Sequence, residues 1–245
     1  MSKRRSGLGA LNGKVALITG SSRGIGLAIA RALASQKCGL VLTARRVRSL
    51  RDIRRELVGR GVGVLTTSCD VRDPDAITKL LSAARKKFGQ LDILVNNAGI
   101  AHENANVDQL GIQGWKDVID TNLTGMFLVT RAALPLMKSG AVIVNNLSIA
   151  AQRVFPGSSA YNASKHGALG LTNTLREELR TRGIRVIALL PGATNTDIWK
   201  TLWPEAPRKK MMSPETVAQA VVNALLLPPE STVEELVILP SAGTL

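Results

Sequence analysis

The sequence predicts a doubly wound α/β fold, with a parallel sheet of about seven strands and helices on both faces. Short apolar runs bounded by turn residues recur along the chain, and helical patterns fill the gaps between them. The runs are continuously hydrophobic, which is typical of strands covered on both faces, and strict strand-helix succession implies right-handed crossovers in a parallel sheet. The predicted strands are 14–18, 39–44, 62–68, 91–95, 141–147, 184–190 and 235–239.

Length and composition predict one domain. The chain has 245 residues, 45% hydrophobic and 20% charged, which is enough for one sizeable core, and neither a linker nor an internal repeat divides it. We expect a basic, flexible tail over residues 1–11 and a single domain over 12–245. An insertion near 193–214 precedes a helix predicted to start at Ser213-Pro214, and it lies outside the carboxyl ends of the strands, where such folds bind ligands.

The charge balance of the chain restricts its partners. With 32 Lys and Arg against 18 Asp and Glu, the formal net charge is +14, which favours anionic ligands or an acidic protein partner. Only 3% of the residues are aromatic and they are not interleaved with the basic ones, which argues against binding of nucleic acid. No apolar run approaches the ~20 residues that a membrane span requires, so we expect no membrane association. Cys38 and Cys69 are too few for a disulfide framework or a metal site, which favours a cytoplasmic protein without a metal.

Three glycines follow the first predicted strand, between Thr19 and Gly26. They turn the chain sharply into the start of an apolar helix, where unpaired N–H groups and the helix dipole favour a pyrophosphate. Their spacing, G-x-x-x-G-x-G, differs from the G-x-G-x-x-G of the commonest dinucleotide folds, so a plain glycine-rich turn is the alternative. The candidate cofactor-binding residues in this glycine turn are Gly20, Ser22, Arg23, Gly24, Ile25 and Gly26.

The end of the second predicted strand indicates which dinucleotide binds. Folds that bind NAD usually place an acidic side chain here for the ribose 2′-hydroxyl, whereas a 2′-phosphate needs cations. The chain has Arg45 and Arg46 at this position, after Ala44. Arg23 would approach from the glycine turn, and guanidinium groups suit a phosphate dianion. We therefore predict that the cofactor is NADP(H).

Two further strand ends carry candidate cofactor contacts. Asp70 and Val71 follow the third predicted strand, where the carboxylate can accept a hydrogen bond from the adenine amino group; a helix N-cap region together with Asp73 is the equal alternative. Small residues after the fourth predicted strand would let a cofactor lie flat against the backbone, although such strand ends are also ordinary turns. These residues are Asn97, Ala98 and Gly99.

The candidate chemistry rests on a phenol and an ammonium group. Tyr161 and Lys165 lie four residues apart, hence on the same face of a predicted helix, and Ser148 closes the fifth predicted strand. We expect Lys165 to lower the pKa of Tyr161, so that Tyr161 gives its proton to a carbonyl oxygen held by Ser148 while hydride arrives from the nicotinamide. Asn122, inside a helix predicted over 115–137, would hold a water that relays protons towards Lys165. Alone, a Tyr and a Lys at this spacing are common on helix surfaces.

Together these residues resemble the short-chain dehydrogenase/reductase family from about residue 14 to residue 239. The family's T-G-x-x-x-G-x-G corresponds to residues 19–26, its N-N-A-G to 96–99 and its P-G segment to Pro191-Gly192. The resemblance implies a Rossmann-type fold, preference for NADP and similarity to 3-ketoacyl-carrier-protein reductases and related carbonyl reductases. It also implies a catalytic tetrad, which falls on Asn122, Ser148, Tyr161 and Lys165.

The resemblance assigns further contacts and an assembly. It implies that Lys165 holds the nicotinamide ribose hydroxyls and that Thr194 and Thr196 meet the carboxamide and the phosphates, with Thr194 standing where an aliphatic residue is more usual. Assembly through two long helices near 107–137 and 158–182 is common in the family, so we expect a homotetramer or a homodimer.

These observations predict an NADPH-dependent oxidoreductase that acts on a carbonyl or secondary alcohol, with Tyr161 as general acid/base. A narrower alternative is a 3-ketoacyl-carrier-protein reductase that docks an acidic carrier through a basic surface, which comprises Arg182, Arg208, Lys209 and Lys210. A third, a catalytically silent NADP-binding regulator, is disfavoured because the tetrad is intact. The predicted walls of the substrate pocket are 100–106, 149–153 and the segment with Trp199 and Trp203, with His102 as a polar residue at the rim.

Overall fold

In the computed structural model, which describes residues 11–243, one sheet of seven parallel strands forms the centre of the protein. The strands are Val15–Thr19 (β1), Gly39–Ala44 (β2), Val64–Ser68 (β3), Leu91–Asn96 (β4), Met137–Asn146 (β5), Arg185–Pro191 (β6) and Glu235–Ile238 (β7). Their order in the sheet is β3-β2-β1-β4-β5-β6-β7. The winding therefore reverses between β1 and β4, the position at which open α/β sheets bind ligands. The predicted doubly wound, Rossmann-type sheet of about seven strands is confirmed.

The described residues form eight α-helices, which lie on both faces of the sheet except for the short seventh helix, which lies beside a cavity. They are Gly24–Ser35 (α1), Arg51–Gly59 (α2), Pro74–Phe88 (α3), Ile112–Ile119 (α4), Gly125–Ala133 (α5), Ser159–Arg180 (α6), Trp199–Leu202 (α7) and Pro214–Leu225 (α8). In β1, Ala16 and Ile18 pack with α1, α2 and α8, whereas Val15 and Leu17 pack with α3, α5 and α6. Because both faces of each central strand are covered, most positions in these strands are hydrophobic, as the sequence predicted.

The prediction of a helix over 115–137 is wrong at both ends. It begins earlier, at Ile112, passes through a π-helical segment at Asp120–Thr124, and ends at Ala133. Pro135 lacks the N–H that a continuing helix needs, and Met137 is already the first residue of β5. The strand predicted to begin at residue 141 therefore starts four residues earlier.

Two helices begin where side-chain caps predict. The carboxylate of Asp73 accepts hydrogen bonds from the N–H groups of Asp75 (2.9 Å) and Ala76 (3.2 Å) at the start of α3. Ser213 accepts from the N–H of Thr216 (3.2 Å) at the start of α8, which is the predicted position. Each cap satisfies backbone donors that otherwise have no partner, which stabilises a helix by about 1 kcal/mol.

A buried polar network joins β4, β5 and two helices. The Nδ2 atom of Asn96 donates to Asn145 Oδ1 and to Thr130 Oγ1, both at 2.8 Å. Asn145 Nδ2 donates in turn to Thr172 Oγ1 on α6 at 3.0 Å. The ends of the two central strands are thereby fixed to each other and to the helices beneath them.

The predicted tail over 1–11 falls outside the described residues, except for its last residue. Leu11 is only 7% exposed, and its carbonyl oxygen accepts a hydrogen bond from the N–H of Lys14. The tail as predicted is therefore one residue too long, because Leu11 belongs to the core. Within residues 11–243, no helix has the length and apolarity needed to cross a membrane.

Candidate active site

A cavity of about 750 Å³ opens at the carboxyl ends of the central strands. Its walls come from the turn after β1, the ends of β2 and β3, the segments after β4, β5 and β6, and the start of α6. Of the predicted site residues, all but Gly26, Arg46 and Asn122 line it. The cavity therefore brings together predicted catalytic and cofactor-binding residues that are up to 176 positions apart, from Gly20 to Thr196.

The glycine turn between β1 and α1 has the backbone that only glycine adopts readily. Gly20 and Gly24 have φ angles of +63° and +56°, in the left-handed region. A Cβ at Gly20 would lie 2.9 Å from Ala98 Cα, so a larger residue cannot stand there without displacing the backbone after β4. The N–H groups of the first turn of α1 have no partner within the helix and face the cavity end of the sheet.

Asn97 braces this turn from the neighbouring strand. Its Nδ2 donates to the carbonyl oxygens of Thr19 (2.9 Å) and Gly20 (3.0 Å), and Thr19 Oγ1 accepts from the N–H groups of Asn97 and Ala98. A methyl group at Gly26 would collide with the Asn97 amide. Gly26 therefore lies behind the cavity wall, where it makes room for Asn97.

The arginines predicted to hold a 2′-phosphate differ in their contacts. Arg45 lines the cavity next to Ala44, whereas Arg46 does not, and its carbonyl oxygen accepts a hydrogen bond from Ser49. Arg23 also lines the cavity, but its Nη1 lies 3.2 Å from Asp197 Oδ2 in a salt bridge.

After β3, two carboxylates take different positions, one at the N-cap of a helix and one at the cavity wall. Asp73 is the N-cap of α3, whereas Asp70 lines the cavity beside Val71. Arg72 forms a salt bridge to Asp70 (2.8 Å) and another to Asp117 on α4 (2.8 Å). The hydrogen bonds from Arg72 lower the pKa of Asp70, so this carboxylate is ionised at the cavity wall.

Tyr161, Lys165 and Ser148 meet at one wall of the cavity. Tyr161 and Lys165 occupy one face of α6, with Lys165 Nζ 5.5 Å from the centroid of the Tyr161 ring. Ser148 is close enough to the Tyr161 hydroxyl to lower its pKa, and its Oγ accepts a hydrogen bond from the N–H of Ala150 at 3.1 Å. Lys165 Nζ donates to the carbonyl oxygen of Asn146 at 3.1 Å.

The predicted lowering of the pKa of Tyr161 by Lys165 is wrong for this structure. Burial of the phenol raises the pKa of Tyr161, and the hydrogen bond with Ser148 offsets only part of this rise. Burial also lowers the pKa of Lys165 to about 8, because the interior disfavours the ammonium form. The expectation considered only the charge of Lys165 and left out the desolvation of both groups.

Asn122 lies in the π-helical segment, behind the cavity wall. Its Oδ1 accepts from the N–H of Ile100 (2.8 Å), and its Nδ2 donates to the carbonyl oxygen of Ile100 (2.9 Å) and to Ser164 Oγ (3.0 Å). A Cβ on Gly99 would lie 3.3 Å from Asn122 Oδ1 and 3.8 Å from Lys165 Nζ, which places Asn122 close to Lys165 across Gly99. That it holds a water stays a prediction.

The segment after β6 completes the cavity. Pro191, Gly192, Thr194 and Thr196 all line it, as do Trp199 and Trp203. The indole N–H of Trp199 donates to the carbonyl oxygen of Thr194 at 2.9 Å, which fixes the start of α7 to the end of this segment.

The other predicted pocket walls contribute in part. The segment 100–106 contributes Ile100, Ala101 and Asn104, and the segment 149–153 contributes Ile149 and Ala150. The prediction that His102 lies at the rim is wrong, because His102 is 7% exposed and does not line the cavity. Its Nδ1 lies 2.7 Å from the carbonyl oxygen of Glu103.

Sequence reasoning missed three residues that organise the site. Asn146 binds Lys165 through its carbonyl oxygen, Arg72 holds Asp70, and Asp197 holds Arg23. Arg72 lies two residues after Asp70, which is a local signal for their ion pair. The contact between Arg23 and Asp197 has no such signal, because 174 residues separate them.

Comparison with known proteins agrees with this arrangement. The family model for the short chain dehydrogenase matches residues 14–207. A 3-oxoacyl-[acyl-carrier-protein] reductase of Synechocystis sp. is 37% identical over 221 residues, which cover 86% of this chain and 89% of the relative. A farnesol dehydrogenase of Aedes aegypti is 37% identical over 236 residues, covering 93% and 96%. The crystal structure of an alcohol dehydrogenase from Thermococcus sibiricus, complexed with 5-hydroxy-NADP, superposes with a TM-score of 0.86 at 33% identity, covering 92% of this chain and 95% of that one.

The parallel sheet, the glycine turn and the Tyr161–Lys165 pair thus define an α/β oxidoreductase with its site at the carboxyl edge of the sheet. The chain belongs to the short-chain dehydrogenase family.

Proposed function

We propose that the protein is an NADPH-dependent oxidoreductase that transfers a hydride between the nicotinamide and a carbonyl or secondary alcohol, with Tyr161 as general acid/base. One observation carries the proposal: Tyr161, Ser148 and Lys165 form a wall of the same cavity into which the glycine turn opens. A proton donor and a dinucleotide can therefore meet in one enclosed space.

The residues of the cavity fit a dinucleotide. Gly20 and Gly24, which both have positive φ, bring the backbone of the turn to the cavity wall without a side chain at either position. The volume of about 750 Å³ lies in the range of cofactor sites. Arg23 and Arg45 at one end suit a 2′-phosphate, and a relative in this family holds 5-hydroxy-NADP.

When bound, reduced NADP would supply the hydride. The start of α1 would hold the pyrophosphate, Arg23 and Arg45 the 2′-phosphate, and Lys165 the nicotinamide ribose hydroxyls. The residues proposed to bind the cofactor are Gly20, Ser22, Arg23, Gly24, Ile25, Gly26, Arg45, Arg46, Asp70, Val71, Asn97, Ala98, Gly99, Tyr161, Lys165, Pro191, Gly192, Thr194 and Thr196. Gly26 would act indirectly, because the absence of a side chain at Gly26 leaves room for the Asn97 amide.

Tyr161 would donate the proton in the reductive direction. Because burial raises its pKa, the phenol keeps its proton at neutral pH and can give it to a carbonyl oxygen. Ser148, hydrogen-bonded to Tyr161, would hold that oxygen and offset its developing charge. Asn122 would position the Lys165 side of the site through Gly99 and Ser164.

The test is Tyr161→Phe, followed by the absorbance of reduced nicotinamide over a panel of ketones, ketoacyl thioesters, steroids, sugars and quinones. We expect turnover to fall by a factor of about 10² to 10⁴ while binding of NADPH is retained. A wild type that binds NADPH but turns over no carbonyl in the panel would support a catalytically silent regulator instead.

Reduction of 3-ketoacyl groups on a carrier protein is the second candidate. Two relatives named 3-oxoacyl-[acyl-carrier-protein] reductase are 37% and 36% identical to this chain. Of the predicted docking cations, Arg182 donates to the carbonyl oxygen of Leu134 and Arg208 to that of Thr196, which leaves Lys209 and Lys210 as exposed cations near the cavity. If neither salt nor a carrier changes turnover of a ketoacyl thioester, this candidate fails.

The assembly and the location are also proposals. Three large apolar side chains are exposed on α4 and α5, namely Ile112 (80%), Trp115 (42%) and Phe127 (44%), which favours a homodimer or homotetramer through these helices. Light scattering of the purified protein tests this, and a monomer would contradict it. Cys38 and Cys69 are free and buried, which agrees with a reducing, cytoplasmic environment.

A further inference from the structure

Arg23 is bound by a carboxylate from the segment after β6. Its Nη1 lies 3.2 Å from Asp197 Oδ2, and both residues line the cavity. The side chains are 70% and 39% exposed, so the salt bridge is accessible to solvent and to a ligand. Asp197 has a second cationic partner, Lys200, at 2.8 Å through its other oxygen. Asp197 therefore keeps a partner when Arg23 leaves it.

Arg45, the other cation predicted to bind the 2′-phosphate, differs from Arg23 in its ionic contacts. It lines the same cavity and forms no salt bridge within residues 11–243. Arg45 is thus available to an anion as it stands, whereas Arg23 must be shared with, or released by, a carboxylate.

We propose that Asp197 is a specificity-determining residue, because it competes with the 2′-phosphate of the cofactor for Arg23 and so reduces the preference for NADP over NAD. This inference rests on the proposed function. A phosphate dianion at Arg23 stands close to the Asp197 carboxylate, and like charges repel, so the salt bridge must loosen when NADP binds. NAD has a hydroxyl in place of that phosphate and leaves the salt bridge intact.

The size of the effect follows from the exposure of the pair. Salt bridges between exposed side chains are weak, and loss of this competition corresponds to a change of about two- to five-fold in a dissociation constant. The effect also decreases as salt screens the charges. Asp197 thus adjusts the preference for NADP, whereas Arg45 and Arg23 create it.

The experiment compares dissociation constants of oxidised NADP and NAD by calorimetry on the cofactor-free protein. In Asp197→Asn we expect the dissociation constant for NADP to fall by about two- to five-fold relative to that for NAD, at low salt. In the background Arg23→Gln the same substitution should change the ratio of the two constants less, because no guanidinium remains for which Asp197 and the phosphate compete. A ratio that does not change in Asp197→Asn, or that changes equally without Arg23, overturns the inference.

A matched control separates this competition from a general change of charge. Glu215 lines a neighbouring surface cavity together with Asp197, and its negative charge helps to raise the pKa of Arg31. Glu215→Gln removes the same charge and should not change the ratio; an equal change there also overturns the inference. If the wild type binds NAD as tightly as NADP, the proposed cofactor is wrong and this inference falls with it. If the wild type prefers NADP and Asp197→Asn has no effect, only this inference fails.

Discussion

The Nζ atom of Lys165 lies 3.1 Å from the main-chain oxygen of Asn146, two residues before Ser148. The hydrogen bond fixes an ammonium group on α6 to the end of β5, the strand that also delivers Ser148. Because the acceptor is a main-chain atom, any side chain at position 146 can supply it. The distance between Lys165 and Ser148 therefore depends on the backbone of β5.

The ionisation of Tyr161 can be measured directly, because the chain contains one tyrosine. We expect the absorbance titration of the folded, cofactor-free protein to give a pKa above the ordinary value, since burial of the phenol raises it. Ser148→Ala should raise the pKa further, because the hydrogen bond from Ser148 lowers it. The exposed Ser82→Ala is the control and should change nothing. An unchanged or lower pKa in Ser148→Ala would contradict a hydrogen bond from Ser148 to the Tyr161 oxygen.

Lys165 makes the free energy of unfolding depend on pH. Burial lowers its pKa from 10.5 to about 8, so below pH 8 the folded state bears the full cost of a buried ammonium group. Between about pH 8 and 10.5 the unfolded chain binds more protons than the folded one, so this cost decreases as pH rises and is absent above that interval.

Lys165→Met should therefore stabilise the protein at pH 7 while it abolishes activity. The gain is up to about 3 kcal/mol from the removed charge, less about 1 kcal/mol for the lost hydrogen bond to Asn146. Urea denaturation at several pH values measures it, and the gain should vanish towards pH 10.5. The exposed Lys138→Met should show no such trend. A constant difference at every pH would mean that Lys165 has the same pKa in the folded and the unfolded chain.

Gly26→Ala tests the close approach of α1 and Asn97. The added methyl group would collide with the Asn97 amide, which braces the glycine turn. We expect a loss of about 1 to 3 kcal/mol in the free energy of unfolding, together with weaker binding of NADPH. Gly59→Ala is the matched control, since a Cβ there meets nothing within 4 Å, and this variant should bind NADPH normally. Equal behaviour of both variants would contradict a tight contact at Gly26.

Arg45→Asp tests the selection of the cofactor. Because the carboxylate repels the 2′-phosphate and can accept hydrogen bonds from a 2′-hydroxyl, binding of NADPH should weaken far more than binding of NADH. Fluorescence titration with each cofactor measures both constants. Arg48→Asp, which places the same charge just outside the cavity, should affect NADPH much less. Equal losses for both cofactors in Arg45→Asp would place the 2′-phosphate elsewhere.

The parts of the molecule that sequence predicted are those whose determinants are local. Residues 15–18 of β1 are all apolar because both sides of the strand are buried. The spacing of Tyr161 and Lys165 already places them on one helix face, and the glycines between residues 20 and 26 already require a sharp turn. Such patterns need no knowledge of what packs against them.

The features that sequence missed depend on contacts between distant segments or on burial. Arg23 looks like a free cation until the chain folds and brings Asp197 to it. The pKa of Tyr161 depends on desolvation, which the spacing to Lys165 does not reveal. The sequence predicts that Met137 ends a helix, whereas its pairing with Leu91 of β4 makes it the first residue of β5.

The amides of Asn96 and Asn145 have a consequence for how the sheet assembles. Apolar side chains on β4 and β5 are interchangeable in chemistry, so a slipped alignment would still bury hydrocarbon. Sliding one strand by a residue would, however, break the hydrogen bond between Asn96 and Asn145 and leave buried amide groups without their partners. This hydrogen bond therefore favours the native register of β4 and β5, the register that brings Ser148 and Gly99 to the same edge of the sheet.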